Sequence, residues 1–169
     1  MIKKIVCVMS LAIVGHSALA APHPLSLNRT AEKSQVWGES FPEGEKAIYL
    51  RLIESYRKSN LGAVYRFRDL LLTHYPVSIY ADNAIYLAGM LDMEKGRLAD
   101  AIQNFGRVSE KYPKGNKRPA ALYAKSMAYA KLNLPKVSRK VLEQLVNEYP
   151  GSAESQRAWI DLRLKEKKT

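Results

Sequence analysis

The stretches LLLTHYP (residues 70–76), RVSEKYP (107–113) and QLVNEYP (144–150) end on the same dipeptide, Tyr-Pro. The two steps between these tyrosines are equal at 37 residues each (112 − 75 and 149 − 112). A second column keeps the same step, with Tyr49, Tyr86 and Tyr123. Equal spacing over three units indicates an array of structural repeats, in which each unit buries its apolar face against its neighbours.

Each unit contains two stretches of helical spacing separated by a turn. Apolar residues recur at intervals of three and four, as at Ile48, Leu52 and Tyr56, and no strand-like alternation occurs. The predicted helices are 46–58, 61–74, 79–94, 98–111, 119–131, 135–148 and 153–165. The sequence therefore predicts an all-α superhelix of about three helical hairpins, with units at about 45–78, 79–115 and 116–152 and a C-terminal capping helix at 153–165.

Residues 1–20 have the layout of a secretory signal peptide. Lys3 and Lys4 precede an apolar run at 5–14, and Ala18-Leu19-Ala20 predicts cleavage before Ala21. The run is too short for a membrane-spanning helix, so no transmembrane anchor is expected after cleavage. Cys7 lies inside the apolar run, where a lipid-attachment cysteine does not belong. The cleaved chain would hold no cysteine, which excludes disulfides, thiolate metal sites and a cysteine nucleophile.

Residues 21–43 are predicted to form a flexible tether, because they are rich in proline and polar residues and lack apolar periodicity. Ser40 and Glu43 form a capping-box pattern, which predicts that ordered structure begins there. The repeat domain is accordingly predicted to span 44–169.

The second unit resembles a tetratricopeptide repeat. Gly89, Ala101, Phe105 and Pro113 stand at the small, small, aromatic and proline positions of that family. The equivalent residues of the third unit are Ser126, Ser138, Leu142 and Pro150, and those of the degenerate first unit are Leu52, Val64, Arg68 and Pro76. The resemblance implies stacked helical hairpins whose first helices line a concave groove for a protein or peptide partner.

Segments such as EYPGSA (148–153) resemble one branch of the family, found in the bacterial cell envelope. That branch includes cell-division coordinators of the Tol-Pal system (YbgF/CpoB type) and the BamD type of outer-membrane β-barrel assembly component. The resemblance implies a periplasmic scaffold in envelope maintenance or assembly. The lack of a lipidation site departs from the BamD type, and the lack of heptads in 21–43 departs from the Tol-Pal type.

Mapped onto this chain, the family's groove positions fall on two columns of the first helices. The predicted groove residues are Tyr49, Ile53, Tyr56, Tyr86, Met90, Met93, Tyr123 and Met127. Tyrosine supplies a large contact area with a hydroxyl, and methionine adapts to imperfect shapes. The alternative is that these side chains pack between repeats. Possible charged contacts to an acidic peptide are Arg57, Glu94 and Lys131, which a solvated helix surface explains equally well.

No arrangement of catalytic or metal-binding residues is found in the sequence. After cleavage the remaining histidines are His23 and His74, and neither has a partner at zinc-ligand spacing. The carboxylates Asp82, Asp92, Glu94 and Asp100 are interpreted as helix-surface or turn residues. Phosphate-binding loops and nucleophile elbows are missing, so we expect neither an enzyme nor a cofactor.

The chain is basic, with a formal charge of +11 at pH 7. Loss of residues 1–20 would leave +9, because they hold two of the 27 basic and none of the 16 acidic residues (25 − 16). An alternative function is therefore a surface that binds an anionic envelope polymer or lipid, using Arg57, Lys58, Arg66, Arg68 and the tail at 165–168. Nucleic acid is not an expected partner.

Overall fold

The computed structural model describes residues 44–166, with side chains to residue 163. All regular structure in this part of the chain is helical, in the order α1 Glu45–Arg57, α2 Leu61–His74, α3 Ala81–Glu94, α4 Leu98–Lys111, α5 Arg118–Lys131, α6 Pro135–Glu148 and α7 Ala153–Glu166. The predicted all-α class is confirmed. The predicted start of α3 at residue 79 is wrong by two residues, because Ile79 lies in the preceding turn and is exposed. The predicted signal peptide, tether and capping box lie outside the described residues.

The turn inside each hairpin uses one residue in the left-handed backbone region. Ser59, Gly96 and Asn133 have φ values of 51°, 75° and 58° and stand 37 residues apart (96 − 59 and 133 − 96). Glycine adopts this conformation without steric cost, and asparagine tolerates it better than most residues do. This repeated turn sends the second helix of each hairpin back along the first.

Helix ends follow the local chemistry of the sequence. The Asn60 side chain accepts a hydrogen bond from the Ala63 amide at 3.1 Å at the start of α2, and Ser152 accepts one from the Ser155 amide at 3.0 Å at the start of α7. Pro135 occupies the first turn of α6, where a missing amide hydrogen costs little. Ser152 therefore caps α7.

The helices pack in two rows. Helices α1, α3, α5 and α7 contact one another in succession and form what we call the first-helix row. Each of α2, α4 and α6 contacts its own partner and the next member of the first-helix row. Three apolar clusters follow from this arrangement, each drawn from one hairpin and the first helix of the next unit. The core is therefore continuous along the array rather than central, as expected for a repeat protein.

The contact within the second hairpin depends on a glycine. Phe105 of α4 is fully buried, and its ring lies against Gly89 of α3. A Cβ at Gly89 would come within 2.7 Å of Phe105 Cε1, closer than packed atoms approach. The small residue thus makes room for the large one.

The Tyr-Pro dipeptides join neighbouring units. The Tyr112 hydroxyl donates to the Pro76 carbonyl at 3.3 Å, and the Tyr149 hydroxyl donates to the Pro113 carbonyl at the same distance. Each tyrosine therefore reaches the proline of the Tyr-Pro dipeptide one unit earlier. We call this pair of bonds the Tyr-Pro ladder, and it gives a physical reason for the 37-residue period.

A buried polar network replaces the expected aromatic residue of the first unit. Arg68 of α2 is buried, stacks at 4.0 Å on the Tyr65 ring and donates to Asn104 Oδ1 at 3.0 Å. Asn104 and Tyr65 both donate to Asp92 Oδ2, at 2.8 and 2.7 Å, and Arg97 donates to Asp92 Oδ1 at 3.2 Å. These residues come from both hairpins, so the network ties the first unit to the second.

Two carboxylates interpreted from sequence as surface or turn residues are buried. Asp92 lies at the centre of the polar network. Asp82 accepts the backbone amides of Asn83 and Lys117, at 2.7 and 3.2 Å, and so holds the loop that precedes α5. That interpretation is wrong because both carboxylates find donors from other parts of the fold, which a linear pattern does not show.

Candidate functional site

The predicted groove residues all lie on the first-helix row, and most are partly exposed. Tyr49, Ile53 and Tyr56 lie on α1; Tyr86, Met90 and Met93 on α3; Tyr123 and Met127 on α5. Met127 is the most open of them at 38% exposure. Tyr56, Tyr86, Met90, Met93 and Tyr123 also contact the apolar clusters beneath them. Each of these five side chains thus supports the core with one part and meets solvent with another.

The hydroxyls of the two outer tyrosines in the column are engaged. Tyr49 stacks on Tyr80 with 4.5 Å between ring centroids and accepts a hydrogen bond from the Asn83 amide group. Tyr123 donates to Asp161 Oδ2 at 3.0 Å, and burial, aided by this bond, raises its pKa. Both hydroxyls link one member of the first-helix row to the next.

The hydroxyl of the central tyrosine is not engaged in this way. The Tyr86 ring packs against the Phe105 ring, with 5.8 Å between the two ring centroids. The Lys117 ammonium lies 5.9 Å from the centroid of the Tyr86 ring. Within residues 44–163, no group forms a hydrogen bond with its hydroxyl. Burial, then the nearby Tyr56 phenol and Glu154 carboxylate, raise the pKa of Tyr86. The group therefore stays protonated at neutral pH and can donate to a carbonyl or carboxylate.

The three predicted charged contacts are exposed at the ends of their helices. Arg57, Glu94 and Lys131 stand one repeat apart, and Glu94 accepts a long hydrogen bond of 3.5 Å from Ser59. The row therefore alternates in sign from unit to unit. A partner gripped at these positions would need charges that alternate in the opposite order.

The alternative anion-binding surface loses one of its residues in the structure. Arg68 is buried in the polar network and cannot meet a polymer or a bilayer. Lys58 is paired with Glu54 at 2.7 Å, and the Arg66 guanidinium lies 4.8 Å from the Phe67 ring centroid. Arg57 stays exposed, and the tail at 165–168 lies outside the described side chains. The prediction that Arg68 serves this surface is wrong.

Sequence reasoning missed Ile160, which continues the tyrosine column. Ile160 of α7 stands 37 residues after Tyr123 and is 60% exposed. Asn83 and Asp161, which fix two tyrosine hydroxyls, were missed as well. The 37-residue step could have found Ile160, whereas the two polar partners depend on how the helices cross.

Within residues 44–163, no group of three or more histidine, cysteine, aspartate or glutamate side chains is arranged to hold a metal ion. In the described part of the chain, no helix is both long and apolar enough to cross a bilayer.

Comparison with known families identifies the repeats. The family model described as "Tetratricopeptide repeat" matches residues 83–115 and 120–152. These segments correspond to α3–α4 and α5–α6 with their connecting loops. These two segments are therefore similar to tetratricopeptide repeats, a repeat type that generally mediates protein–protein interaction. No curated protein matches the chain with significance, so the resemblance to the Tol-Pal and BamD types is not confirmed.

Proposed function

We propose that this protein is a non-catalytic scaffold that binds a protein partner along the concave face of its first-helix row. The observation that carries the proposal is the state of the tyrosine column. Tyr49 and Tyr123 use their hydroxyls to hold the row together, whereas Tyr86 between them presents a free hydroxyl beside Met90 and Met93. A free donor next to adaptable apolar side chains suits an extended or helical peptide, whose own polar groups need partners.

The removal of one oxygen atom tests this role. Tyr86→Phe should weaken partner binding about fivefold, because a neutral hydrogen bond contributes about 1 kcal/mol. Tyr86→Ala should weaken it by about 2 kcal/mol or more, since interface tyrosines often anchor a partner. Both affinities can be measured by calorimetry once a partner is isolated. Tyr129→Phe is the matched control, because Tyr129 is also partly buried on α5 and packs into the third cluster. Equal losses for Tyr86→Phe and Tyr129→Phe would contradict the proposal.

A photocross-linker can locate the binding face before the partner is known. Met127 of α5 and Val137 of α6 are both 38% exposed but belong to different rows. A benzophenone side chain at position 127 should cross-link a partner in envelope extract, and the Tyr86→Ala change should remove the product. The same group at position 137 should give no product. Cross-linking from 137 alone would place the interface on the other row.

We further propose that the protein acts in the periplasm, in envelope maintenance or assembly. The signal-peptide pattern at 1–20 and the resemblance of the repeats to envelope proteins support this location. Cleavage before Ala21 should yield a protein without lipid on Cys7, and intact-mass spectrometry of material purified from the envelope can measure this. Retention of residues 1–20, or a diacylglycerol adduct, would contradict the location.

A further inference from the structure

An arginine side chain lies where the second and third hairpins meet. Arg118, at the start of α5, donates from Nη1 to the Tyr149 hydroxyl at 2.7 Å and to the Pro113 carbonyl at 3.4 Å. Its Nη2 pairs with Glu148 at 2.8 Å, and its guanidinium lies 5.4 Å from the Tyr149 ring centroid. One side chain thus occupies the space beside the Tyr-Pro ladder at this junction.

The equivalent space between the first and second hairpins is open. The residue one repeat before Arg118 is Ala81 (118 − 37), whose methyl group cannot reach the ladder. A depression of about 290 Å³ remains, lined by Leu72, Pro76, Ile85, Arg107, Lys111 and Tyr112. Pro76, Lys111 and Tyr112 stand one repeat before Pro113, Glu148 and Tyr149, which are the three residues that Arg118 contacts. The two junctions are therefore the same site, one filled and one empty.

The charge of the open junction is reversed. Lys111 replaces Glu148, and Arg107 stands where the third unit has Gln144. Neither cation forms an ion pair with another residue of the described part of the chain. Burial, and then the charge of Asp82, raise the pKa of Tyr112, but Asp82 is itself buried and already accepts hydrogen bonds from two backbone amides. The filled junction takes a cation beside a carboxylate, so the open one suits a carboxylate beside two cations.

The loop beside this depression carries two exposed apolar side chains. Val77 and Ile79 are 93% and 78% exposed, and they lie one and three residues after Pro76, which lines the depression. The corresponding residues of the next loop are Lys114 and Asn116. Apolar side chains this open in a turn give no stability to the fold, and beside a cationic depression they supply apolar contact to a partner.

We propose that the depression between the first and second hairpins is a docking socket for an acidic side chain of a protein partner. The carboxylate would lie between Arg107 and Lys111 beside the Tyr112 ring, and apolar residues next to it would pack on Val77 and Ile79. The volume favours this occupant, because 290 Å³ lies just below the range of about 300–1,000 Å³ for small-molecule sites and suits one side chain. None of the eight predicted groove residues lines this depression, so the socket is a site additional to the groove.

Blocked tripeptides test the socket on the full-length, 15N-labelled protein. Acetyl-Leu-Glu-Leu-amide at millimolar concentration should shift the backbone amides of Val77, Lys111 and Tyr112. Acetyl-Leu-Gln-Leu-amide should bind about tenfold more weakly, because it loses the charge-assisted hydrogen bonds. The shifts from the glutamate peptide should also fall as salt rises.

Three variants distinguish specific binding in the socket from nonspecific electrostatic attraction to a basic protein. Arg107→Ala with Lys111→Ala should remove the shifts, while the spectrum stays dispersed because Lys111 is exposed and Arg107 is partly exposed. Lys111→Glu gives the open junction the carboxylate of the filled one and should also remove them. Lys136→Ala with Lys140→Ala deletes two exposed cations of α6 and should change nothing.

Several outcomes would overturn the proposal. These are equal shifts from the two peptides, shifts confined to the first-helix row, or no shift at millimolar peptide. A further contrary result is binding to vesicles of phosphatidylglycerol and phosphatidylcholine that depends on Arg107 and Lys111, while neither peptide shifts the backbone amide signals. That last result would assign the surface to an anionic bilayer.

Discussion

Phe105→Ala should destabilise the protein by about 3–5 kcal/mol, because the substitution empties a fully buried aromatic site. The ring fills the space between α3 and α4 and contacts the Tyr86 ring, with 5.8 Å between centroids. The helices on both sides, α3 and α4, pack against each other and against neighbouring helices, so the cavity cannot close by a local shift. Urea unfolding followed by circular dichroism measures the change. A loss within about 0.5 kcal/mol, the range of ordinary surface substitutions, would show that Phe105 does not hold the second hairpin.

Gly89→Ala should be harmful even though alanine is the better helix former. Alanine gains about 1 kcal/mol over glycine inside a helix, but its Cβ would lie 2.7, 3.0 and 3.1 Å from three atoms of the Phe105 ring. Overpacking of this kind costs about 1–3 kcal/mol, so we expect a net loss. Gly62→Ala is the control, because a Cβ there meets nothing closer than Asn60 Oδ1 at 3.8 Å and should be neutral or mildly stabilising.

The two substitutions should also interact. In the Phe105→Ala background the ring that Gly89 accommodates is gone, so Gly89→Ala should become neutral or stabilising. The double-mutant cycle measures this coupling directly. Additive losses would mean that Gly89 is required for some reason other than the Phe105 ring.

Asp92→Ala should cost about 3 kcal/mol or more, which makes it the second large effect. The carboxylate is fully buried and accepts hydrogen bonds from Tyr65, Asn104 and Arg97. Its removal deprives the buried Asn104 and the partly buried Tyr65 of this acceptor, and hydrogen bonds to a charged group contribute about 1.5–3 kcal/mol. Burial, followed by the bond to Asp92, raises the pKa of Tyr65, so the phenol keeps its proton and remains the donor.

The control for Asp92 is Asp100, which pairs with the same arginine at 2.9 Å but at the surface. Asp100→Ala should cost less than about 1 kcal/mol, since exposed ion pairs contribute little. Tyr65→Phe should reduce the further cost of Asp92→Ala, because one of the stranded donors is removed in advance. Similar losses of stability in Asp92→Ala and Asp100→Ala would indicate that the buried polar network does not stabilise the contact between the first two units.

The architecture was predictable because it repeats. Once the Tyr-Pro step was fixed at 37 residues, apolar spacing and turn residues placed three helices at their exact bounds, α2, α4 and α6. The remaining bounds moved by one or two residues, as helix ends commonly do. Division of the chain into signal peptide, tether and repeat domain stays a prediction, since its boundaries lie outside the described residues.

The polar interior was not predictable from the pattern. Arg68 stands at an aromatic position, and its burial depends on Asn104 and Asp92, which lie 36 and 24 residues further along the chain (104 − 68 and 92 − 68). A repeat alignment shows only that the aromatic is missing. Arg68 also pairs with the adjacent Asp69 at 2.8 Å, but its partner from the second hairpin, Asn104, is visible only when the hairpins are stacked.

The candidate site was predicted as a set of positions but not as a set of roles. The sequence placed eight groove residues on one row of helices, and whether they bind a partner stays a prediction. It could not separate Tyr86 from Tyr49 and Tyr123, because that difference rests on Asn83 and Asp161 across a helix contact. It likewise gave no sign of the socket, which depends on which residue stands one repeat before Arg118.

The Tyr-Pro ladder has a direction, and this gives the array an order of assembly. Each phenol reaches back to a carbonyl that was made earlier, so acceptors always precede donors along the chain. A chain that leaves the ribosome N-terminus first therefore offers every new hairpin a completed surface on which to settle. Unfolding should proceed in the opposite order. The third hairpin contributes the last donor, Tyr149, and no hydroxyl from a later part of the described chain donates to the carbonyl of its Pro150. Fraying should accordingly start at the C-terminal end, which amide hydrogen exchange would record as protection that declines from α3 toward α7.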